Sequence, residues 1–413
     1  MGEILIIGGG AAGLAAALTA KRHAPGANVT ILERMDRVGK KILATGNGRC
    51  NLTNMQAGFS HFYSSDRGAL KNALQGMEPR QVLDFFYSLG LLCQEEDEGR
   101  VYPYSKQASM VLDVFLQALE REKIQVHCDS TVTAINRKGE KLEVRTATGG
   151  LFKADAVILT CGGKAASKLG SDGSGYQLAK SAGHSCTALY PALVALRCNM
   201  NNLGSLKGIR AHAGLTLLAG EHILGQDIGE VQFTEYGLSG IPAMQLSGRL
   251  SRLRKDEKCT ALVDLFPEWQ SETLFRLLKS RQKATPDLAL EQLLLGTVHK
   301  RLAYAVLKSA GVQPLSKKVS QLTAGELHRV AETLKNWRFS VTGTQGWDAA
   351  QVAGGGIPLR EIDERTMESR MQRGLYLAGE LLDVTGDCGG FNLHWAWCSG
   401  IRAGMAAAKA VTL

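Results

Sequence analysis

Three glycines, Gly8, Gly10 and Gly13, and the acid Glu33 have the spacing in this 413-residue chain that most directly implies chemistry. They follow an apolar run, Ile4 to Ile7, and open a stretch of helix-forming composition, Ala11 to Arg22. In a strand–turn–helix unit the first glycine permits the tight turn. The second lets the backbone approach a pyrophosphate, and the third lets the helix pack on the strand. Unpaired N–H groups at the helix start then face the phosphates. Val29, Ile31 and Leu32 rebuild a strand, and Glu33 stands twenty residues after Gly13. At that distance a carboxylate accepts hydrogen bonds from an adenosine ribose, so the unit predicts a dinucleotide site.

The other end of the chain favours FAD over NAD. Leu375 to Ala378 reads as a strand ending in Gly379-Glu380, a pair suited to ribityl hydroxyls and to a second approach on the pyrophosphate. Gly389 and Gly390 then open a long helix, predicted from about Asn392 to Ala410. The positive end of such a helix would face a flavin pyrimidine and stabilise negative charge there on reduction. The chain holds no second G-x-G-x-x-G and no C-x-x-C dithiol. A nicotinamide reductant, NAD(P)H, would therefore dock transiently without a Rossmann domain of its own. The titratable candidates near these motifs are Cys50, Cys388 and His394, each also readable as structural. Arg49 would either steady the reduced flavin or bridge to a phosphate.

A length of 413 residues predicts two or three domains. With 45% hydrophobic and 21% charged residues, the composition is that of a globular enzyme. The nine cysteines are scattered, which argues against zinc ribbons, and no metal site is expected. No apolar stretch reaches membrane-spanning length, and the apolar opening reads as fingerprint rather than signal peptide, so a reducing cytoplasm is expected. The net charge of +9 is uneven: residues 191–345 hold 20 Lys and Arg against 13 Asp and Glu. This excess reads either as a solvated surface or as a face for a polyanion or acidic substrate.

Between the two ends, residues 39–54 read as a Gly/Asn/Thr-rich loop, with helices at 79–92 and 107–122 and a buried strand at 154–160. From 193 to 233 short alternating runs suggest a small antiparallel β domain. Helices are predicted at 269–283, 287–310 and 323–336. The resulting division is a nucleotide domain from 1–190 plus 345–413, a β-rich insertion from 191–265 and about 311–344, and a helical insertion from 266–310.

TGNGRCNLTN (45–54), VYPYSKQASMVLDVFLQAL (101–119), FTEYGLSGIPAMQLSGRL (233–250), VAGGGIPLREIDERTMESR (352–370) and AGELLDVTGDCGGFNLHWAWCSG (378–400) carry a family resemblance that runs end to end. The chain resembles bacterial NAD(P)/FAD-dependent oxidoreductases of the BaiN-like type, also labelled the aminoacetone oxidase family. The resemblance implies an α/β fold: a Rossmann-like FAD-binding domain of the glutathione-reductase class, interrupted by a β-barrel-like and a helical insertion. It places FAD contacts at Gly8, Gly10, Ala11, Ala12, Gly13, Glu33 and Arg34 for the ADP end. Lys41, Thr45, Gly46, Gly48, Arg49, Cys50 and Asn51 would line the isoalloxazine and pyrophosphate. Val132 would contact adenine, Gly162 would follow the central strand, and Gly379, Glu380, Phe391, Asn392 and Leu393 would complete the clamp. Family members are linked to bile-acid dehydroxylation and to dihydrouridine formation in ribosomal RNA, both hydride additions to a carbonyl-activated C=C bond. The expected partner is accordingly a steroid-like small molecule or ribosomal RNA, the latter through the basic insertion at 191–345. Clusters at Arg249, Arg252, Arg254, Lys255 and Lys258, and at Arg276, Lys279, Arg281 and Lys283, would serve it, with Lys300-Arg301 and Lys317-Lys318. Alternatives are an amine or aminoketone oxidase using oxygen and a non-catalytic ribosome-binding flavoprotein.

Overall fold

The computed structural model describes residues 2–199, 203–253 and 257–412. They form two compact units, Met1–Ala192 with Trp347–Leu413, and Leu193–Gly346.

The first unit is built on a five-stranded parallel sheet. Its order is Leu375–Leu377, Ala156–Leu159, Glu3–Ile7, Asn28–Leu32, Gln125–His127. The central strands are apolar on both faces because helices cover both, and Ile4, Ile6, Val157 and Ile158 are all buried. An antiparallel three-stranded sheet, Val132–Lys138, Lys141–Thr146 and Leu151–Ala154, sits between the parallel strands in sequence. The helix Ala11–His23 and the C-terminal helix Phe391–Thr412 pack along each other. Gly400 and Gly404 make this possible: a Cβ at either would overlap the carbonyl oxygen of Ala12 or Ala16. The segment at 39–54 is not wholly loop. It contains a short helix, Lys40–Ala44, and the strand Thr53–Asn54, which pairs with Arg100–Pro103.

The second unit is a closed six-stranded barrel. The strand Trp337–Thr344 shows how the sequence dictates it: Trp337, Phe339 and Val341 point inward while Arg338, Ser340 and Thr342 are exposed. Between barrel strands Cys259–Asp264 and Trp337–Thr344 lie helices Ser271–Ala284, Lys300–Ser309 and Ala324–Lys335. Of the helix predicted over 287–310, only Lys300–Ser309 is α-helical. Pro286 precedes the segment, Gly296 adopts φ +73°, and the helix starts afresh at a His299 cap that accepts from the Arg301 N–H.

Candidate functional site

The three fingerprint glycines are there for three different reasons. Gly8 has φ +105°, and a Cβ on it would lie 2.6 Å from the Thr160 carbonyl oxygen. A Cβ on Gly13 would overlap the carbonyl oxygen of Gly8, which forbids any residue but glycine there. Gly10 has no such constraint: its Cβ would meet nothing within 4 Å. Gly10 is the N-cap of the helix Ala11–His23 and makes no side-chain cap bond. The space before this helix start is open, and its first N–H groups lack intrahelical partners.

The C-terminal segment comes to the same place. Gly379, at φ +75°, abuts the methyl of Ala12, and its N–H donates to Ser399 Oγ at 2.9 Å. Glu380 accepts from Lys41 Nζ at 2.7 Å and from the Ala353 N–H at 2.7 Å. Gly389 and Gly390, at φ +125° and +101°, turn the chain into the C-terminal helix. A Cβ on Gly390 would stand 2.7 Å from Asn51 Oδ1, so Asn51 lies against that helix start. Asn51 is 8% exposed, and its Oδ1 is buried without a hydrogen-bond partner among the described residues. An orphaned buried acceptor is costly unless a bound molecule or water satisfies it. The Asn392 side chain accepts from Gly386 N–H and donates to the carbonyls of Gly386 and Asp387, which clasps the preceding loop onto the helix.

Other expected residues are already engaged. Glu33 is buried and accepts from the N–H groups of Gly9 at 2.7 Å and Met35 at 2.8 Å. Arg34 pairs with Asp172. Thr45 donates to the Ile42 carbonyl, and Gly46, Asn47 and Gly48 run through left-handed conformations. Val132 is buried where it opens its strand opposite Thr146, and Gly162 sits at φ +72° against Ser171. Phe391 is buried under His61, while Leu393 is partly buried.

Three of the expected residues have partners or burial within the protein itself. Arg49 is engaged by an acid and a ring. Its guanidinium grips the Glu96 carboxylate at 2.6–2.7 Å and lies 4.0 Å over the Tyr102 ring. Cys50 is completely buried, which pushes its thiol up to about 12, so it offers no thiolate. His394 is also fully buried. Its Nδ1 lies 2.8 Å from Thr53 Oγ1 and its Nε2 3.1 Å from the Met77 carbonyl, and burial lowers its pKa to about 4. It is a neutral core histidine. Cys388 is partly buried in the loop before the C-terminal helix.

The same loop holds a pair that the sequence did not suggest. His61 Nδ1 lies 2.9 Å from Asp387 Oδ2, and the imidazole stacks on Phe391 with centroids 4.5 Å apart. No motif surrounds His61, and only the pairing of two-residue strands brings it there.

The family described as HI0933-like protein Rossmann domain matches residues 2–406. The chain belongs to this family. It is 39% identical over 410 residues to a 3-dehydro-bile acid delta(4,6)-reductase of Clostridium scindens, covering 99% of this chain and 100% of that one. It is 28% identical to a ribosomal RNA dihydrouridine synthase of Escherichia coli, covering 96% of each. Among solved structures it is similar to a 3-ketosteroid-delta4-(5alpha)-dehydrogenase from Rhodococcus jostii, with TM-score 0.51, 16% identity and coverage of 98% and 97%. That likeness establishes the fold, the Rossmann-like FAD-binding architecture of flavoenzymes. No helix among the described residues is long and apolar enough to cross a membrane.

Proposed function

We propose that this protein, a flavin-dependent oxidoreductase of the HI0933-like family, reduces a carbonyl-activated C=C bond in a steroid-like acid, with NAD(P)H as transient reductant. The observation that carries the substrate class is the end-to-end likeness to a bile-acid reductase at 39% identity. The fit to FAD rests on the open space at Gly10, the two glycine-led helix starts and the orphaned Asn51 Oδ1.

The residues present suit that group part by part. The turn Gly8 to Gly13, with Ala11 and Ala12, offers backbone N–H donors to a pyrophosphate. Glu33 keeps lone pairs beyond its two backbone bonds for ribose hydroxyls. Val132 and Gly162 supply backbone. Lys41 and Glu380 form a neutral pair beside Gly163, so no isolated charge opposes a ribityl chain. Phe391, Asn392 and Leu393 present the positive end of the C-terminal helix, which favours an electron-rich ring system. Bound in this cradle, FAD supplies hydride transfer between reductant and substrate.

Uridine in ribosomal RNA is the second reading, favoured by the +9 charge and by the 28% relative. The cations in the second unit speak against it, because many serve the unit itself. Arg281 donates to the carbonyls of Leu293 and Leu295, Arg301 to that of Ser205, and Lys317 and Lys318 pair with Glu326 and Asp287. Arg276 pairs with Glu272. Arg254 and Lys255 lie outside the described residues, as does the side chain of Arg252.

The test is anaerobic mixing of reduced holoenzyme with a conjugated dienone steroid acid or with ribosomal RNA fragments. Oxidation of the flavin coupled to loss of the dienone absorbance supports the first reading. Oxidation by RNA alone, with dihydrouridine formed, replaces it with the second.

A further inference from the structure

We propose that His61, backed by Asp387, is the proton donor of this reduction; the inference rests on the proposed function and supplies the residue that completes it. Such a reduction needs a hydride and a proton. Of the sequence candidates, Cys50 and His394 are sealed in the core.

The backbone fixes the pair. Strands Phe62–Tyr63 and Thr385–Gly386 run antiparallel with Gly386 opposite Phe62. The next residues out are then His61 and Asp387, and the Asp387 N–H donates to the His61 carbonyl at 2.9 Å. A carboxylate only accepts, so the 2.9 Å bond from His61 Nδ1 to Asp387 Oδ2 places a proton on Nδ1. Proton exchange is thereby assigned to Nε2, which has no protein partner among the described residues. The His61 side chain is 31% exposed and that of Asp387 only 16%. The ring is therefore held on its inner side and open on its outer one.

Its position follows from what it touches. The imidazole lies nearly parallel to Phe391, 15° between planes, and Phe391 begins the C-terminal helix. Asn392 clasps Gly386 and Asp387 onto the same helix start, where Gly390 meets Asn51. An Asp–His pair is thus anchored to the helix end that the proposed function gives to the redox-active ring. Charged and titratable groups also lie on the elements packed against it, among them Arg100 beside Gly389 and Asp383, which accepts from Ser65. Asp387 and Cys388 lie in the loop before the helix, and His394 lies behind Phe62. Arg67 donates to the Phe62 carbonyl and lies 3.9 Å over the Phe59 ring.

The β-carbon of the enone accepts a hydride, with its electron pair, from the reduced flavin, and the C=C π pair moves into an enolate. The Nε2–H bond of the His61 imidazolium breaks, and its proton forms the new α C–H bond. The ring is left neutral with Nδ1–H still on Asp387, and solvent returns a proton to Nε2. Asp387 holds the Nδ1–H and the orientation of the ring and is a positioning residue.

The experiment uses wild-type, His61→Gln and Asp387→Asn holoenzymes, with a conjugated dienone steroid acid as probe and rates taken per bound flavin. His61→Gln is expected to slow flavin oxidation by the probe on the order of 100-fold or more. Asp387→Asn is expected to lower the maximal rate with the half-saturating probe concentration unchanged, and Asp387→Glu to restore it. Nitrogen NMR of the His61 ring, read without turnover, should show the proton on Nδ1 in the wild type and lose that preference in Asp387→Asn. A His61→Gln enzyme that reacts at the wild-type rate overturns the donor role while leaving the proposed function intact. An Asp387→Asn enzyme in which neither the maximal rate nor the ring's proton position changes overturns the positioning role of Asp387. A wild-type holoenzyme that oxidises with no enone overturns both.

Discussion

At the scale of single residues, Gly10 and Gly13 separate binding from folding. Gly13→Ala forces a methyl into the Gly8 carbonyl and is expected to disrupt the turn itself. Gly10→Ala meets only open space, so it is expected to fold with unchanged melting behaviour. Because that space is where the pyrophosphate would approach, it should bind FAD at least about 10-fold more weakly. Titration of apo-protein with FAD, beside thermal unfolding, checks both. Asn51→Leu makes a matching case. It removes a buried acceptor that has no partner, so the apo-protein should keep or gain stability while FAD affinity falls. His394 gives a pH signature. Its folded pKa, about 4, lies below the ordinary 6.5, so the unfolded chain binds the extra proton between those values. The stability carried by the neutral ring is complete above about pH 6.5 and is lost as pH falls towards 4, by on the order of 3 kcal/mol. Urea unfolding at several pH values should show this loss in the wild type and its near absence in His394→Gln. The fingerprint glycines were legible in the sequence because their work is done within a few residues of themselves. The His61–Asp387 pair was not, because its partners are 326 positions apart and are joined by strands of two residues each. Arg49 is a related case. A cation in a glycine-rich loop suggests an anionic ligand, and only the fold reveals that Glu96 supplies the anion.

At the scale of elements, the two long helices of the first unit act as one device. Gly400 lets the C-terminal helix press on the backbone of Ala12, in the first turn of the other helix. A bulkier residue there must push that turn away. Gly400→Ala is therefore expected to destabilise the unit by about 1–3 kcal/mol and to weaken FAD binding together with it. Denaturant unfolding and FAD titration on the same preparation read the two effects. If stability falls and affinity does not, the helix contact has no part in shaping the cradle. The parallel strands and the C-terminal helix were legible from apolar runs and glycine starts. The short helix Lys40–Ala44 and the break in the 287–310 segment were not. Five residues carry too little periodicity, and a Gly296 inside an otherwise helical pattern signals a break only once its φ of +73° is known.

At the scale of the whole molecule, every residue assigned to FAD lies in the unit Met1–Ala192 with Trp347–Leu413. The strand Tyr190–Ala192 pairs with Val352–Gly354, so the two chain ends flanking the second unit are tied together within the first. Replacing residues 193–346 by a short flexible linker is expected to leave a folded, FAD-binding protein. Gel filtration and visible absorbance check this. The uneven charge was legible as a number but not as a surface, since pairing of Lys317, Lys318 and Arg276 depends on tertiary neighbours. The central claim is that the two ends of the chain close around one flavin. The most direct measurement is the visible spectrum and bound-FAD stoichiometry of wild-type and Gly10→Ala protein after reconstitution and gel filtration. Wild-type protein is expected to be yellow and to retain FAD, and Gly10→Ala protein to fold but lose it. A wild type that stays colourless when offered FAD would contradict that claim.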